Sequence, residues 1–301
     1  MNELNHGSRH LYGDWSYEPT FKRTRLLGRV RYMSFSADNK VENLYRRAKS
    51  KLSKILSDFR LTEGRRESTL RAQEKAFEDA GLTLNSATIE TTSLFANFQI
   101  RRTDDSVHYE IFSGIGQIHK VRNVLEIGTS GGHFTLFLAK LFPAAEIQTW
   151  DLPSESFSET TIDNYLAIQD GYGDQTIQSQ SRLDGLTNVV QVRRDSTQLI
   201  YESKLFDAIW VDGDHTFPVV AFDVINALRL VPVGGWICVD DIRQSDRKGS
   251  PLGLQETYKT VKHLASTGLV SLSLVRKRMN VSSMLTKPED AKYIAIMRRL
   301  I

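Results

Sequence analysis

Carboxylates and a histidine follow two apolar segments of the chain. The tetrad Asp212-Gly213-Asp214-His215 follows the apolar run 206–211, and the pair Asp240-Asp241 follows the run 234–239. Two or three carboxylates could hold Mg²⁺, which prefers hard oxygen ligands and keeps positions open for substrate oxygens. A bound cation would lower the pKa of a substrate hydroxyl, and a histidine with a pKa near ~6.5 could remove its proton. The chemistry indicated is deprotonation of a hydroxyl.

Other interpretations of these acids stay open. Neighbouring residues of a strand point to opposite faces, so Asp240 and Asp241 reach one ion only if the backbone turns there. An isolated acid at a strand end is also commonly a helix cap or a turn former. Capping explains five acid-ended strands poorly, and ligands of open α/β sheets bind beyond these strand ends. The acids that end the predicted strands are Glu126, Asp151, Asp195, Asp212, Asp240 and Asp241.

A glycine loop follows the predicted strand that carries Glu126. Residues 124–135 read as a strand, a tight loop and the start of a helix, with the pattern Glu126-x-Gly128-x-x-x-Gly132. Glycines let a ligand approach the backbone, and Glu126 could accept hydrogen bonds from its hydroxyl or amine groups. A dinucleotide fingerprint requires G-x-G-x-x-G, but position 130 is Ser. The loop therefore predicts a nucleotide-like cofactor and disfavours NAD.

This loop resembles motif I of class I S-adenosylmethionine-dependent methyltransferases. The resemblance implies that S-adenosylmethionine is the cofactor and extends over roughly 108–298. It also implies that Asp151 accepts the two ribose hydroxyls and that Asp195 lies near the adenine amine. The cofactor residues implied are Glu126, Gly128, Thr129, Ser130, Gly132, Asp151, Asp195 and Asp212.

The strings Asp212-Gly213-Asp214-His215 and Asp240-Asp241 look like those of metal-dependent small-molecule O-methyltransferases, including enzymes that methylate sugar hydroxyls. The resemblance implies that Asp212, Asp240 and Asp241 hold Mg²⁺ and that His215 is the base. It implies transfer of a methyl group to a hydroxyl of a sugar or another hydroxylated metabolite.

Alternating apolar runs and helical patterns predict the elements that position these residues. The fold expected is α/β, Rossmann-like and doubly wound, with a mostly parallel seven-stranded sheet and an N-terminal helical extension. The predicted strands are 122–127, 145–150, 188–193, 206–211, 234–239, 269–275 and 293–298. The predicted helices of this region are 108–119, 133–142, 218–230 and 254–266.

The first third of the chain has a different character. Residues 1 to about 40 are polar with interspersed aromatic residues, and apolar positions from Val41 to near Gly64 recur at helical spacing. A second helix is expected from about Glu67 to Ala80, closed by Gly81. We expect an N-terminal arm and helical extension at 1–105 and the methyltransferase domain at 106–301. The helices either cap the site or join two copies in a homo-oligomer.

Composition sets further bounds. The 301 residues are 40% hydrophobic and 25% charged, as in an ordinary globular protein. A net charge of +3 does not by itself argue for nucleic acid, although basic residues cluster at 22–31. Cys238 is the single cysteine and lies in an apolar run, which fits a reducing, cytoplasmic setting. No run approaches the ~20 apolar residues that span a bilayer, so no membrane contact is expected.

Three alternatives to this function remain. A metal-independent or nucleic-acid methyltransferase would be favoured by salt-dependent RNA binding through the basic cluster. An NAD-dependent oxidoreductase is disfavoured by the glycine spacing. In a non-enzymatic cofactor-binding protein, the acids would act only as caps.

Overall fold

The computed structural model describes residues 61–153, 179–245 and 254–301. Its helices are α1 (Glu63–Asp79), α2 (Leu84–Phe98), α3 (His108–Ile118), α4 (His133–Leu141), α5 (Val219–Leu230), α6 (Leu254–Ser266) and α7 (Val281–Leu285). Its strands are β1 (Asn123–Ile127), β2 (Glu146–Asp151), β3 (Val189–Arg193), β4 (Ala208–Val211), β5 (Trp236–Ile242), β6 (Val270–Arg276) and β7 (Tyr293–Arg299). Short 3₁₀ helices span Ser196–Tyr201 and Pro288–Asp290.

In the described residues these strands form one sheet of order β3-β2-β1-β4-β5-β7-β6. Strands β1 to β5 are parallel to one another, whereas β7 runs antiparallel to both β5 and β6. This is the predicted five-strand parallel run with a final strand pair. The Rossmann-like fold class is confirmed, and the predicted strands and α3 to α6 match within a few residues.

Helices cover both faces of the sheet because its central strands are apolar on both sides. Val124, Ala208 and Trp236 point into a core shared with α1 to α4. Their successors in sequence, such as Leu125 and Ile209, point into a second core shared with α5 and α6. Continuous apolar runs in the sequence thus reflect strands buried on both faces.

The described N-terminal helices pack on this domain. Phe77 of α1 and Leu94 of α2 belong to the first core, and the described residues all fall in one compact unit, Ser50–Ile301. Gln73 of α1 donates to the backbone carbonyl of Arg276 at 3.0 Å and accepts from its amide at 2.9 Å. Gln73 thereby provides hydrogen-bond partners for backbone groups on the outer side of β6, an edge strand of the described sheet.

Some boundaries differ from the sequence prediction. Helix α1 starts at Glu63 behind the cap Thr62, so Gly64 lies in its first turn instead of ending a helix. The helix expected from Val41 lies outside the described residues, apart from its end. Helix α2 was not predicted because threonines interrupt its apolar pattern, although Ala87, Thr91 and Leu94 form a buried face. In the described residues, no helix combines the length and apolar composition needed to cross a bilayer.

Candidate active site

The site lies where the strand order reverses, between β1 and β4. In open α/β sheets the crevice at this point receives ligands. Ile127 pairs with Val211, so the loops that follow the two strands begin side by side. A Cβ on Gly128 would lie 2.2 Å from the carbonyl oxygen of Asp212. Only glycine lets these two loops approach so closely, which explains the first glycine of the motif.

The glycine loop bends through three left-handed residues. Gly128, Ser130 and Gly132 have φ values of 97°, 47° and 70°. Helix α4 begins directly after Gly132, so its N-terminal amides face the loop. The structure therefore places Gly128, Thr129, Ser130 and Gly132 in one turn at the carboxyl edge of β1.

Glu126 is buried at the end of β1, with 1% of its surface exposed. Thr135 of α4 and Thr149 of β2 donate to its Oε2 at 2.5 and 2.6 Å. Thr129 and Thr149 share a further hydrogen bond of 2.6 Å between their hydroxyls. Burial raises the pKa of Glu126 to about 8. Glu126 thus braces β1, β2 and α4, and its contact with a cofactor stays a prediction.

Asp151 ends β2 beside the glycine loop. The amide of Ser130 donates to its Oδ2 at 3.0 Å, and the amide of Leu152 donates to its Oδ1 at 2.9 Å. Arg193, at the end of β3, places Nη1 3.4 Å from the same Oδ2. Burial raises the pKa of Asp151, although Arg193 opposes the shift. Each carboxylate oxygen can accept more than one hydrogen bond, so capacity remains for ligand hydroxyls.

Asp195 lies on an exposed turn after β3 and caps the 3₁₀ helix Ser196–Tyr201. The amide and hydroxyl of Thr197 donate to its Oδ1 at 2.8 and 2.7 Å. Asp195 therefore acts as a helix cap, the common role of an isolated acid at a strand end. A role beside adenine would use the other oxygen and stays a prediction.

Asp212 and His215 form a pair after β4. Nε2 of His215 lies 3.3 Å from Oδ1 of Asp212, and the histidine is 8% exposed. Nδ1 of His215 is buried and has no hydrogen-bond partner among the described residues. Burial acts to lower the pKa of His215, but Asp212, Asp241 and Asp240 outweigh it and leave this pKa above its usual value. Burial acts to raise the pKa of Asp212, but the hydrogen bond with His215 opposes it, and the pKa lies below its usual value.

Asp240 and Asp241 are the fifth and sixth residues of β5, which extends further than predicted. A register shift separates Val239 from Ile242, and Asp241 adopts φ 54°. The backbone therefore turns at the acid pair, as the sequence required if both acids are to reach one group.

That group is the ammonium of Lys277, which sequence reasoning missed. Lys277 Nζ donates to Oδ2 of Asp240, and to Oδ1 of Asp241 at 2.7 Å. Lys292 Nζ donates to the other oxygen of Asp241 at 2.5 Å. Burial acts to lower the pKa of Lys277, but Asp240, Asp241 and Asp212 outweigh it and raise this pKa above its usual value.

The two lysines reach the site through the antiparallel strand pair. Lys277 follows β6, Lys292 precedes β7, and the amide of Lys277 donates to the carbonyl of Lys292 at 2.9 Å. Because β7 is antiparallel to β5, its start lies at the carboxyl end of β5. The available sequence signal was a basic residue at each end of the loop between the last two strands.

The structure brings together only two of the three predicted metal ligands, Asp212 and Asp240, with His215 as a third group that could hold an ion. Asp212, His215 and Asp240 each offer a ligand atom within 4.8 Å of the others, and Asp241 is not part of this set. An ammonium already bonds to both Asp240 and Asp241. A magnesium ion bound by all three predicted acids would meet this positive charge. The described residues therefore fit a fixed ammonium better than Mg²⁺.

Comparison with known proteins identifies a methyltransferase domain in the central part of the chain. Residues 125–242 match the model of a family described as a methyltransferase domain. The match runs from the start of the glycine motif to the end of the acid pair. This match supports the class I S-adenosylmethionine-dependent methyltransferase that the glycine motif predicted. No curated protein is a significant match to the sequence.

Solved structures of similar fold include three methyltransferases. The O-methyltransferase TomG from Streptomyces achromogenes, solved with SAM, is 17% identical, with a TM-score of 0.47 and coverage of 73% of this chain and 92% of that chain. An O-methyltransferase from Bacillus cereus, solved with SAH, is 18% identical, with a TM-score of 0.47 and coverage of 75% of this chain and 96% of that chain. An rRNA methylase from Streptococcus thermophilus is 11% identical, with a TM-score of 0.43 and coverage of 67% of this chain and 100% of that chain.

Proposed function

We propose that this protein transfers a methyl group from S-adenosylmethionine to a hydroxyl oxygen of a small molecule, a sugar or another hydroxylated metabolite. One observation carries the proposal. The pair Asp212–His215 follows β4 directly beside the glycine loop, with Asp212 backbone packed against Gly128. A candidate proton acceptor therefore lies at the edge where the cofactor would bind.

The glycine loop and Asp151 are the groups that would hold the cofactor. The turn at 128–132 would lie against the cofactor, and Asp151 beside it is fixed by two amides and by Arg193. A carboxylate held in this way can accept two hydroxyls without losing its orientation. When bound, S-adenosylmethionine supplies a methyl carbon on a positively charged sulfur.

His215 is the group that would take the proton of the acceptor. If its Nε2–H faces Asp212, then Nδ1 carries the free lone pair and is the basic atom. Asp212 then fixes the tautomer and stabilises the imidazolium that forms, as an acid does for a histidine in a triad. A hydroxyl needs such a base because its proton must leave as the new carbon–oxygen bond forms.

Binding of the cofactor tests the first half of this proposal. Isothermal calorimetry should show that S-adenosylmethionine binds and NAD does not. Asp151→Asn should weaken the affinity for S-adenosylmethionine by about tenfold or more, because a charge-assisted hydrogen bond contributes about 1.5–3 kcal/mol. Asp79→Asn, on the exposed face of α1, is the matched control and should bind as the wild type does. Binding of NAD alone would refute the assignment.

An acceptor screen tests the second half. We propose that polyhydroxylated small molecules are methylated, that nucleic acid is not the substrate, and that any homo-oligomer forms through N-terminal residues. Binding of RNA with a steep dependence on salt would instead favour the nucleic-acid alternative. A cytoplasmic setting is part of the proposal and is compatible with the buried single thiol of Cys238.

A further inference from the structure

Lys277 forms ion pairs with Asp240 and Asp241, two of the three acids for which the sequence predicts a divalent metal. We propose that its ammonium is the resident cation of this site and that the protein works without a bound divalent ion. The inference rests on the proposed function, since it describes the same acid cluster.

The charges of the cluster are already nearly balanced by the chain itself. Asp240 and Asp241 face Lys277, and Asp241 also faces Lys292. Two ammonium groups therefore oppose these two carboxylates, and Asp212 remains with His215. A divalent ion among these groups would add two positive charges next to a buried ammonium, and would have to displace it from carboxylate oxygens.

The position of Lys277 is built into the fold. Its amide donates to the carbonyl of Lys292 at 2.9 Å, and its carbonyl accepts from the amide of Val107 at 3.0 Å. Only 9% of its side chain is exposed, against 27% for Lys292. Hydrogen bonds to two other segments thus hold its backbone, and its side chain is buried.

The backbone of the acid pair is shaped toward the same ammonium. The left-handed conformation of Asp241, with φ 54°, is unfavourable for a non-glycine residue, and it brings two neighbouring side chains to one group. An ordinary strand would point them to opposite faces. The bulge of β5 and the end of β6 therefore form one built arrangement around Lys277.

The role assigned to Lys277 is positioning. It neutralises Asp240 and Asp241, so that Asp212 and His215 are left as the pair that faces the acceptor. The acceptor oxygen would then be activated by His215 alone, without coordination to a metal.

Binding of Mn²⁺ without substrate tests this inference, because carboxylates suit Mn²⁺ as they suit Mg²⁺ and its paramagnetism reports binding directly. Electron paramagnetic resonance titrations would compare the wild type, Lys277→Met and Lys292→Met. We expect weak binding to the wild type and affinity at least about tenfold tighter in Lys277→Met, because the three acids become available. Lys292→Met is the matched control and should bind like the wild type, since Lys277 stays in place.

Tight stoichiometric Mn²⁺ binding to the wild type, abolished by Asp212→Asn or Asp240→Asn, would overturn the inference. Absence of a gain in a folded Lys277→Met would also contradict it. Should Lys277→Met fail to fold, the Mn²⁺ titration of the wild type still tests the inference. Lys277→Arg keeps the positive charge, so it should bind Mn²⁺ as weakly as the wild type. Calorimetry with S-adenosylmethionine on the same samples distinguishes failure of this inference from failure of the proposed function.

Discussion

His215 is the side chain whose surroundings define the chemistry most closely. Its Nε2 faces Asp212 at 3.3 Å, and its Nδ1 is buried and unpartnered among the described residues. An unpaired buried nitrogen is costly unless a ligand uses it. The sequence supplied this histidine as a base candidate, and the structure supplies the acid that orients it.

The pH dependence of methyl transfer tests His215 as the base. The base must be neutral, so the rate should fall as the pH drops through the pKa of His215, which lies above its usual value. Asp212→Asn removes the main group that raises this pKa and should shift the acidic limb to lower pH. His215→Gln should lower kcat by about 10²–10⁴. The exposed His263→Gln is the control, and an unchanged rate in His215→Gln would exclude the role.

Asp223 of α5 is a second buried group that sequence reasoning missed. The residue is fully buried, and neither carboxylate oxygen has a hydrogen-bond partner of good geometry among the described residues. It lies behind Gly213, where a Cβ would meet its Oδ2 at 3.4 Å. Burial raises its pKa from 3.8 to about 7. A helical position among apolar residues gave no sequence signal of this burial.

Stability measured against pH tests the state of Asp223. Between about pH 4 and 7 the folded chain keeps this proton and the unfolded chain releases it, so stability should fall as the pH rises. Asp223→Asn should therefore raise the free energy of unfolding at pH 8 by up to about 4 kcal/mol, with no gain near pH 4. Denaturant titrations at both pH values measure this. Exposed Asp184→Asn is the control, and an equal gain at both pH values would contradict the prediction.

At the scale of elements, the decisive feature is the contact between the loops after β1 and β4. The glycine motif is readable in sequence because glycine has a specific backbone role there. Gly128 touches the carbonyl of Asp212, which directly follows β4 and is distant in the chain. The pairing of Ile127 with Val211 brings the two loops together. The glycine loop and Asp212, the partner of the proposed base, thus pack against each other through backbone atoms.

Substitution of Gly128 tests this contact. Gly128→Ala should destabilise the fold by about 3 kcal/mol or more and abolish cofactor binding, because its Cβ would overlap the Asp212 carbonyl at 2.2 Å. Gly185 also has a positive φ, of 77°, but nothing lies within 4 Å of its Cβ. Gly185→Ala should therefore lose only about 1 kcal/mol. Equal losses in thermal or denaturant unfolding would show that backbone strain alone matters at Gly128.

At the scale of the whole molecule, the N-terminal helices and the sheet form one folded body in the described residues. Gln73 links α1 to the edge strand β6, and Arg65 donates to the carbonyls of Met284 and Leu285 at 3.1 and 2.8 Å. The domain boundary predicted near residue 105 stays a prediction. From these contacts of α1, and from the burial of Leu94 of α2 in the first core, we expect both helices to unfold together with the sheet.

Gln73→Ala tests this cooperation. It would leave the buried amide and carbonyl of Arg276 without partners, and we expect a loss of about 3 kcal/mol in a single unfolding transition. Gln117 makes a similar pair of hydrogen bonds with Ser86 on the surface, so Gln117→Ala should lose less than about 1 kcal/mol. Hydrogen exchange would report the same difference. Separate melting of α1 and α2 in the wild type would refute a single cooperative unit.

The sequence by itself determined the strands, most of the helices, the glycine loop and the strand ends that carry acids. These features are local, because periodicity and glycine placement depend on residues that are close in the chain. Only the tertiary structure decided which groups meet. Asp240 and Lys277 are 37 residues apart in sequence, and their contact depends on a bulge in β5 and on the register of two later strands. The sequence predicts a metal at these acids, and only the packing of distant strands shows that an ammonium bonds to two of them.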